Sequence, residues 1–78
     1  MSAMSRKTEQ INLFGVNCPL NWAKAKVHLE DLERGDILEV FIDDPKGRRD
    51  IPRAAEAEGY AIVHIDEVSG GWSIAIEK

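Results

Sequence analysis

A chain of 78 residues has room for one small domain, which buries only about 60% of the surface its unfolded form exposes. Its 14 acidic against 10 basic residues leave a net charge of −4, which argues against nonspecific nucleic-acid binding, since that draws its affinity from Lys and Arg neutralising phosphates. A single cysteine allows no internal disulfide. With no signal peptide and no long apolar run in the sequence, the expected compartment is the reducing cytoplasm, without membrane contact.

Residues 1–8 are polar and without periodicity, and are expected to form a flexible N-terminal tail to a single domain over 9–78. Ile11 and Leu13 alternate with Gln10 and Asn12, which predicts a short strand ended by Gly15. A helix is predicted from residue 19 to about residue 34, because Trp22, Ala25, Leu29 and Leu32 recur at the steps of a core stripe. Pro19 suits the first helical position, N1, having no N–H to leave unsatisfied, and Gly35 supplies a C′ residue.

The run 37–42 reads as a second strand, with Leu38, Val40 and Ile42 on one face and Ile37, Glu39 and Phe41 on the other. Asp43-Asp44-Pro45-Lys46-Gly47 reads as a turn-rich loop. Asp50 then caps a short helix with Pro52 in its first turn and Gly59 at its end. Residues 61–68 and 72–77 alternate as two strands of a hairpin turned at Ser69-Gly70-Gly71.

The resulting order is βαβαββ. A right-handed crossover makes the first two strands parallel, and the hairpin adds an antiparallel pair. The expected fold is an α/β (α+β) two-layer sandwich, a mixed four-stranded sheet with two helices on one face. The other face is partly apolar, open to a partner or simply exposed.

The chemistry centres on Cys18, placed where the first strand gives way to the helix. The N–H groups of a first helical turn carry partial positive charge, which favours a nucleophilic thiolate there. Free cysteine is also a common small core residue, and on spacing alone the two readings are even; Pro19, by marking the helix start, favours the first.

Other candidates read more simply. His28 lies roughly 15 Å up the helix from Cys18, too far to act as its base. With His64 isolated on a strand, no tetrahedral metal set forms. Asp43 and Asp44 beside Pro45 read as turn chemistry, not paired acid and base. Trp22 belongs to the core stripe, one turn from Cys18. Lys46, Arg48, Arg49 and Arg53, with Lys24 and Lys26, form basic clusters better suited to a protein partner than to RNA.

These residues resemble the TusA-type (SirA-like) sulfurtransferases, whose mark is Cys-Pro-x-Pro at the start of the first helix. Beyond Cys18-Pro19, the likeness rests on Lys24, Leu29, Leu32, Gly35-Asp36, Leu38-Glu39-Val40, Asp43-Asp44-Pro45, Asp50-Ile51-Pro52 and Gly59, and it runs from about Ile11 to the end.

The resemblance implies strand order 1-2-4-3, as in the C-terminal domain of a bacterial translation initiation factor. It also implies a sulfurtransferase working as a relay carrier. Cys18 would be the nucleophile and persulfide site and Pro19 part of its frame, with no cofactor and no metal. The implied partners are a cysteine desulfurase or rhodanese-like sulfur donor and a downstream acceptor protein, with the chain itself a monomer.

Asn21 replaces the second proline of the motif, and its amide is expected to meet a ligand or partner; Lys24 is expected to dock the partner. An N–H in the first helical turn has no intrahelical acceptor, so proline at position 21 would forfeit little. The alternative function is a non-catalytic regulatory or protein-interaction module on the same fold, with Cys18 structural.

Overall fold

Alternation along residues 37–42 decides the layering. In strand β2 (Ile37–Ile42), Leu38, Val40 and Ile42 are wholly buried, while Ile37, Glu39 and Phe41 are half-buried on the opposite face. The structure, a computed structural model, describes residues 7–78. Of the tail expected over 1–8, residues 1–6 lie outside the described residues, and Thr8 already belongs to the first strand.

Strand β1 (Thr8–Asn12) runs parallel to β2, with Ile11 beside Val40. On its other side β2 pairs antiparallel with β4 (Gly71–Glu77), which pairs antiparallel with β3 (Ala61–Val68). The order is β1-β2-β4-β3, the one implied by the resemblance. Helices α1 (Leu20–Asp31) and α2 (Pro45–Ala57) cover the Leu38-Val40-Ile42 face, closing a core with Leu29, Ile51, Ile74 and Ile76. Each such side chain contributes about 1.5–3 kcal/mol by leaving water.

Two helix boundaries differ from expectation. α1 stops at Asp31 because Leu32 turns extended, at φ −88° and ψ 163°, and drives its side chain into the core. Gly35, at φ +92°, turns the loop that follows and is not the residue that ends the helix. α2 begins earlier than Asp50: its cap is Asp44, whose carboxylate accepts the Lys46 N–H at 3.0 Å, with Pro45 as first residue. The segment read as a loop is thus the opening of the helix. Pro52, inside α2, cannot bond the Arg48 carbonyl, which gave residue 50 the look of a helix start.

Asp36 fastens the start of β1 to the loop before β2. It is almost fully buried, with Oδ1 accepting the Lys7 N–H at 3.0 Å and Oδ2 the Glu33 N–H at 3.1 Å. Those two bonds, Lys7's first, hold its carboxyl below the ordinary carboxylate value. A value depressed in the folded state adds stability that is present above the ordinary carboxylate range and lost as pH falls through the folded value. Asp36→Asn should therefore be less stable than the parent at neutral pH, with the gap closing in acid. Denaturant melts across pH would show it; a gap of constant size would mean that the charge on Asp36 contributes nothing.

Candidate functional site

Between β1 and α1 the chain forms a short loop that ends in Cys18, and the partners of its backbone explain its shape. The Phe14 N–H donates to Asn12 Oδ1 at 3.0 Å and the Val16 N–H to the Leu13 carbonyl at 3.1 Å. The Gly15 N–H donates to Asp43 Oδ1 at 3.0 Å and the Cys18 N–H to Asp44 Oδ2 at 2.7 Å. Two adjacent aspartates at the end of β2 therefore grip the loop. Gly71 adds a support from the β3–β4 turn, since a Cβ there would run into the Ile42 carbonyl oxygen and lie 3.0 Å from the Phe14 ring.

Cys18 is a free thiol, partly exposed, and stands outside the core cluster. The Cys18–Pro19 peptide bond is cis. Pro19 sits at N-cap, not N1: its carbonyl accepts the Ala23 N–H at 3.1 Å, the bond that opens the helix. The Asn21 N–H bonds the Asn17 carbonyl at 3.1 Å and the Trp22 N–H bonds Asn21 Oδ1 at 2.7 Å. Those two donors are engaged locally and are not directed at the sulfur.

A charged neighbour comes from α2. Its Arg49 donates to Asp50 at 3.0 Å, and its guanidinium is held above its ordinary value chiefly by Asp50 and, more weakly, by its electrostatic interaction with Cys18. Lys46, Arg49 and Arg53, spaced three and four apart, share one side of the helix, opposite buried Ile51 and Ala55. The basic cluster of the sequence thus lies on the helix whose cap holds the Cys18 amide.

The other expected residues are placed as follows. Asn21 is fully buried and does not face a ligand; it takes the place on the core stripe that the apolar spacing assigned to Trp22, which is half-buried against the core. Its N–H has an acceptor after all, so proline there would forfeit a bond. Lys24 lies with Ile11, Leu13, Val27 and His28 along a groove of about 300 Å³ between α1 and β1. Lys26 pairs with Glu58 at 2.8 Å, bracing the two helices. His64 follows a bulge in β3 and pairs with Asp66 at 3.0 Å on the open face of the sheet. Among the described residues, no three of His, Cys, Asp and Glu converge to hold a metal ion.

Sequence reading missed the parts played by Asp44, Arg49 and Gly47. The first was within reach, since Asp followed by Pro is a helix-start signal as well as a turn signal. Asp44→Ala should cost about 0.5–2 kcal/mol as a lost cap and speed hydrogen exchange of the Cys18 amide. Unchanged exchange there would mean that the 2.7 Å contact does not hold the loop.

The sequence model of the family described as sulfurtransferase TusA matches residues 9–78. A protein of Archaeoglobus fulgidus is 34% identical, the match covering the whole chain and 99% of its own length. The sulfur carrier protein TusA of Pseudomonas putida strain W619 is 33% identical over 82% of this chain and 80% of its own. The crystal structure of a SirA-like protein from Desulfitobacterium hafniense superposes with a TM-score of 0.74 at 27% identity, covering 88% of this chain and 93% of that one. With the family model matching residues 9–78 and the fold in agreement, the chain belongs to the TusA sulfurtransferase family.

Proposed function

We propose that this protein carries sulfane sulfur on Cys18, taking it from a donor protein and passing it to an acceptor. The observation that carries this reading is the placing of Cys18, the chain's one thiol: partly exposed, outside the core, on a loop fixed by long-range bonds and beside a cationic helix. A cysteine kept only for packing belongs among the core side chains.

The chemistry is thiol–persulfide exchange. The Cys18 thiolate attacks the outer sulfur of a donor persulfide; the new S–S bond leaves Cys18 as persulfide, and the donor cysteine departs as thiolate. An acceptor thiolate then attacks the outer sulfur of Cys18, which leaves as thiolate in turn. Both steps conserve electrons, so the exchange calls for no cofactor. A cysteine desulfurase or a rhodanese supplies the donor persulfide, and a reducing cytoplasm suits the chemistry.

Docking falls to the surface around the thiol. Leu20 and Val27 are exposed on α1, at 55% and 60%, with Lys24 between them in the sequence and on the same side of the helix. This rim of apolar and basic groups suits a transient protein partner, and Lys24 is its docking cation. 

Incubated with a cysteine desulfurase and cysteine, the protein should gain the mass of one or more sulfur atoms at Cys18. The gain should disappear on reduction and in Cys18→Ser. If desulfurase and rhodanese donors both leave the mass unchanged while the native thiol alkylates freely, the carrier role is wrong. Lys24→Ala should fold normally and slow uptake about two- to fivefold at low salt, the deficit shrinking as salt rises. Equal rates at every salt concentration would return Lys24 to ordinary surface.

A further inference from the structure

We propose that Asn21 is a positioning residue that clamps the Cys18 loop from the core side, and that glycine at position 47 is there to seat it. As a statement about sulfur transfer this rests on the carrier reading; as a statement about the loop it does not.

Asn21 is 0% exposed. A buried amide is costly unless its polar atoms are bonded, and here they are bonded locally. Nδ2 donates to the Val16 carbonyl at 3.4 Å, Oδ1 accepts the Trp22 N–H at 2.7 Å, and the backbone N–H donates to the Asn17 carbonyl at 3.1 Å. One residue thus holds both residues that precede Cys18. Asp44 holds Cys18 itself.

Gly47 gives the second observation. It lies inside α2, where glycine is a poor helix former, and it is not among the glycines with positive φ. Backbone conformation therefore does not call for it. Space does: a Cβ on residue 47 would lie 2.6 Å from Asn21 Nδ2 and 3.3 Å from Ile42 Cδ1. The amide occupies the room that a side chain at 47 would need. Proline at 21 would supply neither the amide nor the N–H bond, so the departure from Cys-Pro-x-Pro exchanges a stiff ring for a hydrogen-bonded clamp.

The test compares the parent with Asn21→Ala, Gly47→Ala and the double variant. Readouts are thermal midpoint, residue-resolved hydrogen exchange, and sulfur uptake from a cysteine desulfurase at a temperature where all four are folded. Asn21→Ala should speed exchange at the amides of residues 16–18 tenfold or more relative to Leu29 and Val40, and slow uptake on the order of tenfold through misplacement of the thiol. Gly47→Ala should lower the midpoint in the parent but lower it far less, or raise it, when Asn21 is already Ala, because the crowding is gone.

Equal shifts from Gly47→Ala in both backgrounds would overturn the shared seat. Exchange rising in the loop only as much as at Leu29 and Val40 would make Asn21 an ordinary core residue and overturn the clamp. A parent that takes up no sulfur would sink the carrier reading, while the exchange and the cycle would still judge the clamp.

Discussion

Asp44 Oδ2 takes the Cys18 N–H at 2.7 Å while Oδ1 takes the Lys46 N–H at 3.0 Å, so one carboxylate joins the approach to α1 to the first turn of α2. Hydrogen bonds to a carboxylate are roughly twice as strong as neutral ones, and a negative charge at a helix start also meets the positive end of its dipole. The rest of the site takes its position from this junction. It brings Gly47 up to Asn21, sets Arg49 within electrostatic reach of the sulfur, and leaves Asp43 free to hold Gly15.

The charge distribution follows from the same junction. The chain is acidic as a whole, yet its thiol lies by the helix that carries Lys46, Arg48, Arg49 and Arg53. Cys18 thus has a cation within electrostatic reach, Arg49, in a chain where that sign is the minority. Asp43 and Asp44, at the same loop, each accept a backbone N–H of the loop on a carboxylate oxygen.

Much of the fold was legible because period and punctuation agreed. The alternation of 37–42, the Gly70-Gly71 turn and the βαβ crossover each pointed to the observed sheet. Asn21 was misread because stripe analysis counts apolar residues, and a polar group satisfied by its own neighbours enters the core without leaving that mark. Asp44-Pro45 was misread because one signal serves turns and helix starts alike, and Pro52 offered a rival beginning. Cys18 and Pro19 could be found from local sequence, whereas the bond from Asp44 to Cys18 spans 26 residues and has no local trace.

The surroundings of Cys18 depend on how firmly β1 is held. Among the described residues it is an edge strand, paired only with β2, and the contacts that it and its flanking residues make with Asp36, Glu39 and Phe41 all cross about one third of the chain, Lys7 and Asp36 being 29 positions apart. Closing contacts so distant in sequence costs more chain entropy than closing the β3–β4 hairpin. The Cys18 loop begins where β1 ends, so one of its two anchors is that strand and the other is the Asp43-Asp44 pair. Local opening of an edge strand is the least costly kind of opening, and here it would loosen one end of the loop that carries the cysteine while leaving the thiol itself in place.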